Sequence, residues 1–92
     1  MPVIKIVSKK ETKDKWTIIV EVDALSFTVR VGKEYWRSLT DERELPECLV
    51  ERSFAFLLVR EPKDAILRTF DLALIGRYFP KYESEMRRGY KV

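Results

Sequence analysis

The sequence lacks histidine, asparagine and glutamine, and it contains a single cysteine, Cys48. Without an imidazole, the usual general base for a serine or cysteine nucleophile is missing, and the residue counts exclude zinc coordination by histidine and cysteine. One cysteine also excludes an internal disulfide and is typical of a reducing compartment. The sequence therefore predicts a cytoplasmic protein that is not an enzyme, with no catalytic residue, no metal site and no cofactor.

Sequence signals of a phosphate ligand or a membrane are missing as well. Three glycines are too few for a phosphate-binding loop, and neither GxGxxG nor GxxxxGK[ST] occurs. No apolar run approaches the length of a membrane span, and the first residues lack the apolar segment of a signal peptide. We therefore expect no membrane association. The loss of amide side chains, together with many Lys, Arg and Glu, is typical of thermophilic proteins.

Charged residues are abundant but nearly balanced. The chain has 18 Lys and Arg against 15 Asp and Glu, for a net charge of +3, and 46% of its residues are hydrophobic. That hydrophobic content is enough for one core, and 92 residues correspond to a single domain, 1–92. No block of like charges forms a basic arm. The charge thus favours solubility more than a polyanionic partner.

Residues 3–31 alternate between apolar and polar side chains, as half-buried antiparallel strands do. Residues 9–15 supply one turn and Asp23–Ala24 the next, so 1–32 is predicted to form a three-stranded antiparallel β-meander. The face of this sheet that turns toward the core is predicted to carry Ile4, Ile6, Trp16, Ile18, Val20, Val22, Phe27, Val29 and Val31.

From residue 33 onward the apolar residues recur at helical spacing, over a helical part that spans 33–92. Asp71 is a good N-cap, and Phe70 before it is placed to pack on Ile75 as a hydrophobic staple. Strands followed by helices predict an α+β fold, with three or four short α-helices packed on one face of the meander. Helices are predicted at 33–39, from Pro46 to Arg60, from Asp71 to Phe79 and after Pro80. Pro62 ends the second of these, at a position where a further helix can begin.

The stretch SFAFLLVREPKDAILRTFDLALIGRYFPKYESEMRR, residues 53–88, resembles a group of short microbial proteins. These share the pattern SF-FLL--REPK--IL--FDL--I--YFP-Y behind a strand-rich start. The resemblance implies the same order of strands and helices. No activity is established for the group, so the resemblance implies no functional residue.

Two small constellations have a chemical and a structural interpretation. Cys48 falls in the first turn of the helix that begins at Pro46, where a helix N-terminus can lower a thiol pKa. Without a base beside it, we interpret Cys48 as a small buried apolar residue. Carboxylates in 41–47 could bind a hard cation, but they lack the turn glycine of a calcium loop. We interpret them as a solvated connector.

The second face of the meander is one candidate binding surface. Its residues are less polar than a fully solvated face requires, and edge strands of a small sheet invite pairing with another chain. This face predicts a protein partner or self-association as a homodimer. The candidate partner-binding residues are Val7, Thr17, Ile19, Thr28 and Arg30.

A basic, aromatic cluster near the end of the chain is the other candidate surface. Basic side chains interleaved with aromatics can bind phosphates and stack on bases, although Glu83 and Glu85 dilute the positive field. The predicted function is a non-enzymatic protein-interaction or regulatory module, and the alternative is a nucleic-acid-binding protein. The candidate nucleic-acid-binding residues are Arg77, Lys81, Tyr82, Arg87, Arg88 and Lys91.

Overall fold

The computed structural model describes residues 3–89, and its N-terminal part is an antiparallel meander. The three strands are β1 (Ile4–Glu11), β2 (Lys15–Val22) and β3 (Leu25–Gly32). Trp16 lies opposite Val31 and Ile18 lies opposite Val29, so residues of one face pair across the strands. The predicted meander is confirmed.

The inner face of the sheet, which turns toward the core, carries the predicted residues. Every second residue of β2 from Trp16 onward and of β3 from Phe27 onward is buried, because successive side chains of a strand point to opposite faces. Ile4 and Ile6 of β1 are half-buried and pack against the same core. The buried members are Trp16, Ile18, Val20, Val22, Phe27, Val29 and Val31.

Helices follow the meander, as the sequence predicts. Pro46 is the first residue of its helix, where its missing N–H costs nothing. The α+β class is therefore confirmed. In residues 3–89 the helices are α1 (Lys33–Thr40), α2 (Pro46–Arg60), α3 (Leu74–Tyr78) and α4 (Tyr82–Gly89), with a 3-10 turn at Lys63–Ala65.

A fourth strand, β4 (Thr69–Asp71), lies parallel to β3 and extends the sheet to the order β1-β2-β3-β4. The prediction of Asp71 as a helix N-cap is wrong, since Asp71 belongs to this strand and Ala73 precedes α3. Phe70 explains the difference. It lies opposite Val29 and is only 5% exposed, so its burial against the core selects a strand over the locally favoured helix.

The helices pack on the inner face of the sheet. Phe54 of α2 meets Phe27 of β3 edge to face, with 5.2 Å between ring centroids. Tyr82 of α4 is fully buried, and its ring lies 5.3 Å from that of Phe56. The radius of gyration is 12.2 Å, close to the value of about 12 Å that a compact chain of this length has.

The strand β1 forms one edge of the sheet and is interrupted by a bulge. Val7 falls between the pairs Ile6–Val20 and Ser8–Ile19, where the register shifts by one residue. After the bulge, Lys9 lies opposite Ile18, on the inner side, and its ammonium forms an ion pair of 3.1 Å with Glu47 of α2. α2 therefore covers part of this edge.

Within residues 3–89, none of the helices combines the length and apolar content that crossing a membrane would require.

Candidate functional site

Four of the five candidate partner-binding residues come together on the outer face of the sheet, opposite the core. Thr17 pairs with Arg30, and Ile19 pairs with Thr28 across β2 and β3. All four are half-buried, and none belongs to the core cluster formed by the described residues. Val7 lies at the β1 bulge and is 51% exposed. The outer face, defined by these five residues, is therefore a surface of the described chain.

The outer face offers little continuous apolar area. Ile19 is bordered by Ser8 on one side and Thr28 on the other. Arg30 donates to both carboxylate oxygens of Asp71, at 3.3 and 3.4 Å. A single isoleucine between polar neighbours is ordinary for a protein surface. This arrangement gives weak support to association through the outer face.

The candidate nucleic-acid-binding residues are split between the core and the surface. Tyr82 is fully buried, and its hydroxyl lies 2.6 Å from Ser53 Oγ. The Ser53 hydroxyl donates its one proton to the carbonyl of Leu49, so Tyr82 must donate to Ser53. Burial also raises the pKa of Tyr82 well above its ordinary value. In this structure its ring is not available to stack on a base.

The basic members of that set differ in their partners. Arg87 and Arg88 lie 3.9 Å from Glu83 and Glu85 of their own helix. Arg77 and Lys81 are exposed and have no ion-pair partner among residues 3–89. Lys91 lies outside the described residues. Two cations without partners are a smaller basic surface than the six-residue set predicted.

Cys48 lies in the first turn of α2, as the sequence predicts, but it is half-buried rather than buried. Burial raises the pKa of its thiol, and the carboxylates of Glu44 and Glu51 add to that effect. A raised pKa keeps the thiol protonated at neutral pH, and the protonated form is a poor nucleophile. The local environment thus works against a reactive cysteine.

The acidic connector between α1 and α2 is engaged in ion pairs. Glu44 accepts two hydrogen bonds from Arg52, at 2.6 and 2.8 Å, and Arg52 also donates to the carbonyl of Met86. Glu42 pairs with Arg37. Among residues 3–89, no group of three Cys, Asp or Glu side chains is arranged to hold a metal ion. The connector therefore ties α1, α2 and α4 together.

An apolar groove that sequence reasoning missed lies where α2, the 3-10 turn, β4 and α3 meet. Its volume is about 430 Å³. Leu67 and Tyr78 lie on its wall and are 56% and 69% exposed, unusually open for large apolar side chains. We call this feature the apolar groove, and its main lining residues are Leu57, Ile66, Leu67, Phe70, Leu74 and Tyr78.

A second depression, the β4 crevice, adjoins the apolar groove and shares Phe70 and Leu74 with it. Its volume is about 460 Å³, and Thr69, Asp71 and Arg77 contribute its polar surface. Tyr35 also lines the crevice, but its hydroxyl donates to Glu83 at 2.8 Å. Burial, followed by this bond, raises the pKa of Tyr35 far above its ordinary value. Tyr35 is thus committed to an internal partner.

Neither depression could be found from sequence, because both depend on β4. The stretch FDLALI has a helix-capping residue and helical spacing, and only the tertiary contact of Phe70 turns it into a strand and a turn. One weak signal was present. Thr69 and Phe70 are both strand formers, directly before Asp71.

Comparison of the chain with protein-family models, with curated proteins and with solved structures finds no match.

Proposed function

We propose that this protein is a non-enzymatic protein-interaction module whose contact surface is the apolar groove. One observation carries the proposal: Leu67 and Tyr78 line the same groove and are 56% and 69% exposed. Fully burying one large apolar side chain is worth about 1.5–3 kcal/mol, so covering both would contribute substantially to binding. Tyrosine is also enriched in protein interfaces, since its ring is apolar and its hydroxyl still reaches a polar partner.

The chemistry of the chain supports a binding role more than catalysis. The sequence has no histidine. The lone thiol, that of Cys48, has a raised pKa. Tyr35 and Tyr82 are each bonded to an internal partner. The single cysteine also supports a reducing compartment, and we propose the cytoplasm as the location.

Self-association through the outer face has less support than binding through the apolar groove. Ile19 is its central apolar residue, and the ladder neighbours of Ile19 are polar. Ile19→Lys is therefore a useful control variant. It changes the outer face without touching the groove.

Site-specific photo-crosslinking tests the proposal. A photoreactive amino acid replaces Leu67 in one preparation and Val59, which is 83% exposed on α2, in the other. Both are irradiated in extract of the source organism, with and without nuclease. We expect discrete protein adducts at position 67 that survive nuclease, that are absent at position 59 and that persist in the Ile19→Lys background. Equal adducts at both positions, or adducts that nuclease removes, would contradict the proposal.

A further inference from the structure

The phase of the β3–β4 ladder fixes which backbone groups of β4 are free. The amide of Thr28 donates to the carbonyl of Arg68 at 2.7 Å, and the amide of Leu72 donates to the carbonyl of Arg30 at 2.8 Å. The backbone groups of successive strand residues point to opposite sides of the strand. The backbone N–H and C=O of Phe70 therefore point toward β3. The N–H and C=O groups of Thr69 and Asp71 therefore point away from the sheet.

This outer edge of β4 is open within the described chain. Thr69 and Asp71 are both exposed. Among residues 3–89, their amides make no backbone hydrogen bond outside the sheet. β4 contains no lysine, no proline and no bulge, so its protections against pairing are its short length and the charge of Asp71. Two donors and two acceptors are thus presented at the spacing that an added strand would use.

The β4 crevice adjoins β4 at its junction with β3. It is lined by Thr69, Phe70 and Asp71 of β4, by Arg30 and Gly32 of β3, and by Leu74 and Arg77 of α3. Its volume of about 460 Å³ falls within the range of about 300–1,000 Å³ that is common for binding pockets. The crevice thus provides space next to β4 for a side chain of a segment that pairs with its outward edge.

The charges around the crevice specify one chemical feature of that segment. The guanidinium of Arg30 is already engaged by Asp71, at 3.3 Å. Arg77 also lines the crevice, is exposed and has no ion-pair partner among the described residues. The local charge that lacks a counterpart is therefore positive. A carboxylate would complement it with a charge-assisted hydrogen bond.

The neighbouring groove specifies a second feature. The apolar groove and the β4 crevice share Phe70 and Leu74, so the two depressions lie side by side. Successive side chains of an added strand point to opposite faces. An apolar side chain could enter the groove while the adjacent residue in the sequence approaches Arg77.

We propose that the partner of this protein is an extended peptide segment that adds to β4 as a fifth strand. Its backbone bonds to Thr69 and Asp71, one apolar side chain occupies the apolar groove, and an adjacent acidic side chain or terminal carboxylate pairs with Arg77. Strand addition of this kind draws its affinity from the backbone and its specificity from pockets for alternate side chains. The inference rests on the proposed function as an interaction module, whose partner it names.

The test uses random dodecapeptides displayed on phage and selected on the immobilised full chain. The best peptide is then synthesised, and its affinity for each variant is measured by fluorescence anisotropy. Thr69→Pro removes the outward N–H and is the main variant, with Thr69→Ala as its matched control. Arg77→Glu reverses the charge in the crevice, and Lys13→Glu makes the same change in the distant β1–β2 turn. Circular dichroism checks that each variant is folded.

We expect selected peptides to pair an apolar residue with a neighbouring acidic one. Thr69→Pro and Arg77→Glu should each weaken binding by about tenfold or more, the worth of one backbone or charge-assisted hydrogen bond. Thr69→Ala and Lys13→Glu should change it less than about twofold. Peptides with apolar residues at helical spacing, or equal binding to Thr69→Pro, would overturn the inference.

Other outcomes separate the inference from the proposed function. If sedimentation shows a dimer for the wild type but not for Thr69→Pro, a second copy occupies the edge and the peptide inference is overturned. If no peptide is enriched but the crosslink at position 67 persists, only the inference fails. If no peptide is enriched and no crosslink forms at position 67, both the peptide inference and the proposed function are overturned.

Discussion

The two edges of the sheet are built in opposite ways. β1 is eight residues long, contains a bulge and carries Lys5, Lys9 and Lys10, and Lys9 is tied to α2 through Glu47. β4 has three residues, no bulge and no lysine, and it is adjoined by a crevice. Both strands end the sheet, but β1 is protected by a bulge and lysines, whereas β4 is protected chiefly by its short length.

The contrast between β1 and β4 indicates at which edge a partner would bind. A long, regular edge strand can pair with strands of other molecules. The bulge and the lysines of β1 prevent such pairing and so keep the molecule from aggregating. A short edge has little aggregation risk and can stay open. Exposed Leu67 and Tyr78 lie in the groove next to that open edge. Openness and apolar exposure thus coincide at β4, where we propose binding.

The first prediction compares how the two edge strands are held. Phe70 of β4 is 5% exposed, whereas Ile6 of β1 is half-buried. Phe70→Ala should destabilise the protein by about 3–5 kcal/mol, because it leaves a cavity in the core, and Ile6→Ala by roughly 1–2 kcal/mol. Urea unfolding measures both. Equal losses would mean that β4 is not anchored by its central residue.

The second prediction compares two threonines that lie opposite each other, Thr28 of β3 and Thr69 of β4. The amide of Thr28 is bonded to Arg68, so Thr28→Pro should cost at least about 2 kcal/mol through the lost bond and an orphaned carbonyl. Thr69→Pro removes an amide that points outward and should cost less than about 0.5 kcal/mol. Thermal unfolding compares the two. A large loss in Thr69→Pro would place the Thr69 amide inside the fold.

The third prediction removes a protection of the β1 edge. Lys9 and Glu47 form a partly exposed ion pair, with 33% and 28% of their side chains exposed. Lys9→Ala should lower stability by only about 0.2–1 kcal/mol, since solvent screens such pairs. It should nevertheless increase aggregation at high concentration, measured by light scattering, while Lys13→Ala should not. Unchanged light scattering would show that Lys9 does not prevent aggregation through the β1 edge.

The fourth prediction uses acid to weaken both ends of the sheet. Asp23 bonds to Lys63 before β4, and Glu11 bonds to Lys33 at the end of β1, which lowers the pKa of each carboxyl. With lowered pKa values in the folded state, these two carboxyls bind more protons in the unfolded chain than in the folded one as the pH falls. The stabilisation that the two ion pairs contribute is therefore present above about pH 5 and is lost as the pH falls through the lowered pKa values. Asp23→Asn and Glu11→Gln should each lose less stability between pH 6 and 3 than the wild type. An identical loss would contradict the pKa assignment.

The strands were predictable from sequence, and the candidate site was not. Alternation of apolar residues in β2 and β3 is a local signal, and burial followed it residue by residue. β4 is three residues long, and it forms because the side chain of Phe70 is buried in the core. Such a tertiary contact leaves no periodic signal, so the groove and the crevice beside it were missed.

The placement of Tyr82 was partly visible in the sequence. It shares helical spacing with Phe79 and Met86, which indicates a buried stripe, and the structure buries both Tyr82 and Met86. Its proximity to arginines favoured a binding role instead. The hydrophobic pattern predicted the position of Tyr82 correctly. Burying a tyrosine ring in the core stabilises the fold by more free energy than leaving the ring exposed beside arginines that are already ion-paired.

Amide hydrogen exchange, followed by NMR on the free protein, tests the open β4 edge most directly. The amides of Phe70 and Leu72 point to β3, and those of Thr69 and Asp71 point outward. We predict that Thr69 and Asp71 exchange at least about 100-fold faster than Phe70 and Leu72, because only the latter need an opening of the sheet. Equal protection of all four amides would show that the edge is covered, and it would contradict the binding site proposed at β4.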